Sequence, residues 1–172
     1  VGLDIRKPML AQYFNLSNKG HLTDYLAEPD VQLEDIIVPS GEHKNLDLLP
    51  CGVIPPNPSE LLARPNLDKA IEYLKGTFDY IVLDTAPVAL VTDSMIISRV
   101  ADAVVYVARY DYTHKADIKY LNSIVAEGKL SNVSLLLNAE DTKKKMYGYV
   151  SERRGSNRYV GYGYGDNGAS KK

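Results

Sequence analysis

The sequence predicts an α/β fold in which helices cover both faces of a doubly wound, mostly parallel sheet. Short β-branched and apolar runs alternate along the chain with longer segments of helical periodicity, a pattern typical of βαβ units. Three of the predicted strands are nearly unbroken apolar runs, as expected for strands that are covered on both faces. A length of 172 residues is enough for one domain with its own core.

The strands are predicted from their apolar, β-branched composition and from the polar or turn-forming residues at their ends. A short apolar run before the second strand is expected to pair with it across a polar turn. In chain order the predicted strands are Val1–Asp4, Ile36–Val38 (the short run), Leu46–Leu49, Tyr80–Leu83, Ala103–Ala108 and Val133–Leu137.

The helices are predicted from apolar residues at helical spacing and from start and stop signals. One of them opens with Thr-Asp-Ser, which is favourable N-cap chemistry. In chain order the predicted helices are His21–Ala27 before Pro29, Asn66–Lys75 before Gly76, Thr92–Arg99 with the Thr-Asp-Ser start, and Thr113–Glu127 before Gly128.

Composition excludes several classes of protein. The single cysteine, Cys51, cannot form an internal disulfide, which fits a reducing cytosol better than a secreted setting. No apolar run approaches the ~18 residues that span a bilayer, and no signal peptide is expected. The three histidines are scattered and give no zinc pattern, and no serine lies in a Gly-x-Ser-x-Gly hydrolase motif.

Charge divides the chain into an acidic body and a basic tail. Eight Lys or Arg against two acidic residues give residues 143–172 a charge of +6, which leaves −8 for residues 1–142. The tail has few apolar residues besides tyrosine, so we expect it to be disordered or weakly ordered. We therefore predict a domain at 1–142 and a tyrosine-rich tail at 143–172.

The segment Phe78–Pro87 is the strongest motif, because an apolar strand delivers Asp84 at its carboxyl end. Ligands bind at that end of the strands in open α/β sheets. A carboxylate there can hold Mg²⁺ beside nucleotide phosphates. The alternative is an aspartate that only caps the following turn.

A second aspartate, Asp4, also follows a predicted strand, and Arg6 lies two residues beyond it. A carboxylate and an arginine at this spacing suit a metal–triphosphate site, one holding Mg²⁺ and the other taking up phosphate charge. The alternative is an exposed strand end with a local ion pair. The proline-rich segment Leu49–Leu62 indicates a rigid loop that leads into a helix at Pro58, with Cys51 as a small buried packing residue.

Together these segments resemble the bacterial tyrosine kinases that control capsule and exopolysaccharide export, which are related to deviant-Walker partition ATPases. The resemblance is collinear over nearly the whole chain and implies a P-loop NTPase-like fold. The tail is similar to the family's C-terminal tyrosine cluster. The matching segments are Leu3–Pro8 (end of the Walker A′ motif), Gly52–Leu62 (a family loop), Ile81–Pro87 (Walker B), Val104–Thr113 and Leu136–Asn138.

The resemblance implies a protein-tyrosine autokinase that uses ATP and Mg²⁺. Asp4 and Asp84 would bind the metal and act in catalysis with Arg6, while Asn138 and Arg109 would bind the nucleotide, Asn138 near the adenine. A neighbouring subunit of a ring would phosphorylate the tail. The expected phosphoacceptors are Tyr147, Tyr149, Tyr159, Tyr162 and Tyr164.

The resemblance also implies partners and a location. We expect a ring-like homo-oligomer, a membrane polysaccharide co-polymerase with its export machinery, and a tyrosine phosphatase as partners. The expected location is the cytoplasmic face of the bacterial inner membrane. The acidic body argues against nucleic-acid binding.

The chain departs from the family pattern at two points. Gly2 occupies the position of the family's first Walker A′ aspartate, a candidate base for the tyrosine hydroxyl, which leaves the proton acceptor unassigned or gives Asp4 both tasks. No Gly-x-x-x-x-Gly-Lys-Ser/Thr phosphate loop occurs in the 172 residues, so we expect an N-terminally truncated fragment that is inactive by itself. The alternatives are a partition-type ATPase and a non-catalytic oligomerisation module.

Overall fold

The computed structural model of the chain describes residues 1–16, 20–28, 30–88 and 92–140. It is an α/β structure with parallel strand pairing and flanking helices, as the sequence predicts. The helices are α1 (Leu10–Tyr13), α2 (Leu22–Ala27), α3 (Pro58–Ala63), α4 (Pro65–Thr77), α5 (Asp93–Ile97) and α6 (Lys115–Ala126). The strands are β1 (Val38–Pro39), β2 (Asp47–Leu48), β3 (Val104–Arg109) and β4 (Val133–Asn138), and 3₁₀ turns lie at Leu33–Ile36 and Ser98–Val100.

The predicted pairing of Ile36–Val38 with Leu46–Leu49 is present but shorter and shifted, since Ile36 lies in a 3₁₀ turn, and the predicted strands at Ala103–Ala108 and Val133–Leu137 pair with each other. β1 and β2 form a short antiparallel pair with Val38 opposite Leu48. β3 and β4 are parallel over six residues, from Val104 opposite Val133 to Arg109 opposite Asn138. The parallel pair brings the carboxyl ends of β3 and β4 to the same edge.

The predicted strands Val1–Asp4 and Tyr80–Leu83 are wrong in extent. The two segments meet in a single parallel bridge between Gly2 and Asp84. The Asp84 N–H donates to Val1 O at 2.9 Å, and the Leu3 N–H donates to Asp84 O at 2.7 Å. The nitrogen of Val1 also donates to Val82 O at 2.8 Å, so the hydrogen bonds between the two segments extend from Val1 to Leu3. Beyond Leu3, Asp4 Oδ1 accepts the Lys7 N–H at 3.0 Å, an Asx-type turn at which the chain leaves the partner segment.

The main core surrounds the paired segment at the start of the chain. Leu3 and Ile5 are fully buried between α2, α3 and α4. α4 begins with Pro65 at its first position, where the missing N–H costs nothing, and packs four apolar residues against this core. The buried members of α4 are Leu67, Ala70, Ile71 and Leu74.

Helix α6 packs against one face of the parallel β3–β4 ladder. Residues paired in a parallel ladder share a face, and Tyr106 and Val133 on one face pack against Leu121 and Ile124 of α6. The opposite face carries Val105, Val107 and Leu136, which are between 48% and 58% exposed, and Leu135 and Leu137, on the face of Tyr106, are 58% and 53% exposed. The apolar pattern therefore predicts these strands, although within the described residues part of each face is exposed.

The predicted helices are confirmed with small shifts at their ends. The helix predicted at Thr92–Arg99 is split into α5 and the 3₁₀ turn at Ser98–Val100, while α4 continues through Gly76 to Thr77. Among the helices of the described segments, none has the length and the hydropathy needed to cross a bilayer.

Candidate functional site

The side chains of Asp4 and Asp84 line the same pocket, which has a volume of about 160 Å³. The bridge between Gly2 and Asp84 fixes the backbone of Asp84, and the turn at Lys7 fixes the carboxylate of Asp4. Both aspartates lie where a paired segment ends. The two carboxylates that the sequence singles out are therefore brought together, although they are 80 positions apart in the chain.

The electrostatics of this pocket suit a cation. Burial, and then the negative charge of Asp4, raise the pKa of the Asp84 carboxyl above its ordinary value. A bound divalent cation would relieve both effects, because it stabilises the ionised carboxylates. Oxygen ligands of this kind are those that Mg²⁺ prefers.

The donor set fits a cation that shares its ligands with a nucleotide. No group of three or more His, Cys, Asp or Glu side chains able to hold a metal is found among the described residues. Two carboxylates are a partial set, and Mg²⁺ in phosphoryl-transfer sites is held by one or two carboxylates together with phosphates and water. The residues present therefore fit Mg²⁺ bound with a phosphate ligand and not a closed protein cage.

Arg6 points away from this pocket into an ion pair with Asp93. Its Nε donates to Asp93 Oδ2 at 2.6 Å, and one Nη donates to Asp93 Oδ1 at 3.0 Å. Ser59 Oγ accepts from Arg6 at 3.0 Å and donates to Asp93 Oδ1 at 2.8 Å. Hydrogen bonds from Arg6, more than that from Ser59, hold the pKa of Asp93 below its ordinary value. Arg6, the side chain that the sequence predicts to contact phosphate, is thus held in an ion pair within the protein.

Arg109 and Asn138, the predicted nucleotide ligands, lie together but outside the pocket of Asp4 and Asp84. They are register partners at the carboxyl ends of β3 and β4. The Arg109 guanidinium lies 5.5 Å from the centre of the Tyr112 ring, a cation–π distance. Asn138 Oδ1 accepts the N–H of Ala139 at 2.7 Å. The structure therefore places these residues at a second edge of parallel strands.

His21 is a pocket residue that sequence reasoning missed. It lines the pocket of Asp4 and Asp84, its side chain is 16% exposed, and its Nδ1 lies 3.4 Å from Asp24 Oδ2. The sequence shows His21 only as one of three scattered histidines, at the start of the predicted helix His21–Ala27. The His-x-x-Asp spacing at that helix start is the signal that could have drawn attention to it, but the pocket itself depends on distant segments.

The loop at Cys51 and Gly52 closes the pocket beside His21. Gly52 has φ +103°, and a Cβ on it would lie 2.3 Å from the Cβ of His21, so only glycine fits. Cys51 is buried, and its burial, together with the charge of Asp4, raises the pKa of the thiol to about 12. The thiol is therefore protonated at neutral pH and acts as a packing group, as the sequence predicts.

The tail is outside the part of the chain that the structure describes. The predicted phosphoacceptors in it are Tyr147, Tyr149, Tyr159, Tyr162 and Tyr164.

Comparison with curated proteins identifies relatives along nearly the whole chain, although no family model matches it. EpsB of Ralstonia nicotianae is 34% identical over 168 residues, which are 95% of this chain and 21% of EpsB. The tyrosine-protein kinase YwqD of Bacillus subtilis is 31% identical over 154 residues, 89% of this chain and 64% of YwqD. The chain thus spans about a fifth of EpsB and less than two thirds of YwqD.

Solved structures agree in fold. The kinase domain of the Escherichia coli tyrosine kinase ETK superposes with a TM-score of 0.74 at 26% identity, covering 95% of this chain and 59% of that domain. The septum site-determining protein MinD of Pyrococcus horikoshii, solved with Mg-ADP, has a TM-score of 0.62 at 22% identity, covering 79% and 55%. The MinD likeness extends to the fold alone.

Proposed function

The chain belongs to the family of bacterial tyrosine-protein kinases, and from this premise we propose that the whole protein is an ATP-dependent tyrosine autokinase. The observation that carries the proposal is the pairing of Asp4 and Asp84 in one pocket at the ends of two paired segments. Phosphoryl transfer requires charge neutralisation and positioning more than covalent chemistry, and paired carboxylates around Mg²⁺ provide both.

Each site residue then has a task. Bound Mg-ATP supplies the transferable phosphoryl group and the positive charge beside it. Asp4 and Asp84 hold the cation through their carboxylate oxygens. Asn138 and Arg109 bind the base end of the nucleotide from the edge of β3 and β4, where ligands bind in parallel sheets.

Arg6 contributes to the site by positioning. Its two hydrogen bonds to Asp93 fix the turn that follows Asp4 against α5, and its bond to Ser59 fixes the same turn against α3. A guanidinium held by a buried carboxylate has few donors left for phosphate. We therefore assign Arg6 to the orientation of Asp4 instead of direct phosphate contact.

The tail supplies the acceptor tyrosines and a charge switch. Each phosphotyrosine adds ~1.5–2 negative charges at neutral pH, so five would take the tail from +6 to roughly −2 to −4. The unmodified tail is attracted to the −8 body of a neighbouring subunit, and the modified tail is repelled by it. Autophosphorylation would thereby loosen a ring-like homo-oligomer.

Membership of this family also suggests where the protein acts and which partners it has. The protein would act at the cytoplasmic face of the bacterial inner membrane, with a polysaccharide co-polymerase and export machinery as partners and a tyrosine phosphatase that resets the tail. Its output would be the control of capsule or exopolysaccharide synthesis. The main alternative is a partition-type ATPase of the same fold.

Phosphoryl transfer from ATP labelled in the γ-phosphate tests the proposal in the full-length protein. Label is expected in the wild type and is expected to be lost when the five tail tyrosines are changed to Phe. The matched control changes Tyr13 and Tyr80, which are 74% and 91% exposed on the body, to Phe and keeps the label. Hydrolysis of ATP without label in the protein would establish the ATPase instead.

A further inference from the structure

Two exposed apolar side chains lie at the rim of the pocket of Asp4 and Asp84. Val53 lines this pocket and is 74% exposed, and Ile54, the next residue, is 56% exposed. On the basis of the kinase function proposed above, we propose that Val53 and Ile54 form the docking surface for the ring of the acceptor tyrosine, which the tail of a second copy of the protein presents.

The loop that carries this docking surface is held at both ends. On one side, the N–H groups of Leu22 and Thr23 in α2 donate to Pro50 O at 3.0 Å and to Cys51 O at 2.9 Å. On the other side, the chain enters α3, which has Pro58 in its first turn. Two prolines between these anchors restrict the backbone further. A surface that is already ordered loses little conformational entropy when a partner binds.

The exposure of two adjacent β-branched side chains on this loop is not explained by packing in the core. Neither residue belongs to the main core or to the cluster around α6. Among the described residues that line the pocket, Val53 is the one large apolar residue whose side chain is exposed. Single exposed apolar residues are common, but an adjacent pair at the rim of a polar site suits contact with a partner.

The position of the docking surface suits a phenol ring. The acceptor oxygen has to approach the reacting phosphorus to within ~3.5 Å, and the phosphate binds beside Asp4 and Asp84 in the function proposed above. Because the hydroxyl is at the far end of a rigid ring, the ring must lie at the rim of the pocket, where Val53 is exposed. Tyrosine has an apolar body and a polar tip, so the ring can pack on Val53 and Ile54 while its hydroxyl enters the pocket.

Composition and charge favour the tail as the occupant. Tyrosine supplies most of the large apolar side chains between residues 143 and 172, the others being Met146, Val150 and Val160. The same residues carry a charge of +6. The described lining of the pocket contains two carboxylates and neither lysine nor arginine. Opposite charges therefore favour the approach of the tail, and its rings match the apolar rim.

The first test measures the phosphorylation of a synthetic peptide of residues 143–172. The enzyme is the full-length protein with its five tail tyrosines changed to Ala, which removes its own acceptors and the competing rings. Val53→Ser combined with Ile54→Ser is expected to raise the KM for the peptide about 10-fold, the lower end of the range for a lost apolar contact in a specificity pocket. The KM for ATP is expected to stay unchanged, because neither native side chain has a polar atom that could bind phosphate.

Val125→Ser is the matched control for this double variant. Val125 is an exposed β-branched residue on α6 and does not line the pocket, so its change should leave the KM for the peptide unaltered. Val53→Leu combined with Ile54→Leu keeps an apolar surface and should recover most of the loss. An unchanged KM for the peptide in the double Ser variant, or a rise confined to the KM for ATP, would overturn the docking role.

Peptide binding without catalysis distinguishes an apolar contact from other effects. Fluorescence anisotropy of a dye-labelled tail peptide with the same nucleotide-free full-length protein should show about 10-fold weaker binding for the double Ser variant. Salt screens the attraction between tail and body but not an apolar contact, so this ratio should persist at high salt. A ratio that disappears at high salt would contradict contact between ring and loop. Normal peptide binding with weaker self-association would assign the loop to a subunit interface instead.

Failure of the docking surface and failure of the kinase function give different results. If the parent enzyme transfers no label to the peptide and the wild type transfers none to its own tail, the kinase function fails. If the parent enzyme labels the peptide and the double Ser variant does so with the same KM, the kinase function stands and the docking role of Val53 and Ile54 is lost.

Discussion

Arg6 and Asp93 form a two-point ion pair between segments 87 residues apart, with Nε to Oδ2 at 2.6 Å and Nη2 to Oδ1 at 3.0 Å. Asp93 is 1% exposed, while the side chain of Arg6 is 40% exposed. The pair fixes the turn after Asp4 to α5, and Ser59 links both to α3. The position of Asp4 thus depends on residues that the sequence gives no reason to associate with it.

Removal of one partner of this pair is expected to destabilise the chain. Asp93→Ala should lower the free energy of unfolding by about 3 kcal/mol, the lower end of the range for breaking a buried pair, because Arg6 can still reach water. Urea denaturation measures the change. Asp102→Ala is the control, since Asp102 is 91% exposed and 3.7 Å from Lys75, and it should cost less than about 0.5 kcal/mol. Similar losses in the two variants would contradict a special role for the Arg6–Asp93 pair.

The same pair predicts how stability depends on acid. Hydrogen bonds from Arg6 and then Ser59 lower the pKa of Asp93 in the folded chain. A carboxyl group whose pKa is lowered by folding stabilises the folded state at pH values above its pKa in the unfolded chain, about 3.9. This stabilisation is lost as the pH falls through the pKa of the folded chain. The melting temperature of the wild type should therefore fall more steeply below pH 4 than that of Asp93→Asn. Parallel curves for the two proteins would show that Asp93 does not contribute.

Asp84→Asn should increase stability while it removes function. Burial and the charge of Asp4 raise the pKa of Asp84, so ionisation at neutral pH costs the folded state free energy that Asn does not. The effect of Asp84 on stability is opposite in sign to that of Asp93. The cost of ionising Asp84 in the folded chain appears as the pH rises above the pKa of this group in the unfolded chain. We expect a higher melting temperature at pH 7 and a fall in tail phosphorylation of at least roughly 100-fold. Asp79→Asn, in the same segment but exposed, should change neither quantity.

Gly52→Ala should damage the pocket through backbone strain and a clash. Gly52 has φ +103°, and its added Cβ would lie 2.3 Å from His21 Cβ. We expect a loss of about 2–3 kcal/mol in the free energy of unfolding, from the strained backbone and the displaced histidine. Gly41→Ala has a positive φ of +76° but no heavy atom within 4 Å of the new Cβ, so it should cost about 1 kcal/mol. Equal losses would show that the contact with His21 is unimportant.

Charge in the tail should control association between subunits. Changing the five tail tyrosines to Glu lowers the tail charge by five, whereas changing them to Phe leaves it unchanged. Native mass spectrometry or light scattering of the full-length protein should show weaker self-association for the Glu variant alone. The difference should shrink at high salt, since screening weakens attraction between exposed charges. Unchanged association in the Glu variant would rule out the charge switch.

Strand ends were the most predictable part of the site. Asp4 and Asp84 follow apolar runs, and parallel pairing brings such ends to one edge, so their meeting follows from a local pattern. The end of the first strand was not predictable, because the Asx turn at Lys7 directs the chain away after Leu3 through a single side-chain hydrogen bond. A side-chain hydrogen bond of this kind competes with the pairing of the strands, and the spacing of apolar residues does not reveal it.

Long-range polar contacts were not predictable. Arg6 has the sequence context of a phosphate ligand, but its partner is Asp93, which the sequence presents as part of a helix start. His21 lies in the pocket only because the loop at Gly52 approaches it closely. Both cases depend on contacts between segments more than 30 residues apart, which neither spacing nor composition encodes.

The buried thiol of Cys51 also makes this 172-residue segment suitable for site-specific labelling. Maleimides react with thiolates, and Cys51, the one cysteine among these residues, has a pKa raised to about 12 and is 3% exposed. A second thiol introduced by Ser156→Cys would therefore carry a fluorophore within this segment without removal of Cys51. Energy transfer between such dyes on two copies of the chain would test directly the proposed docking of a tail on a neighbouring subunit.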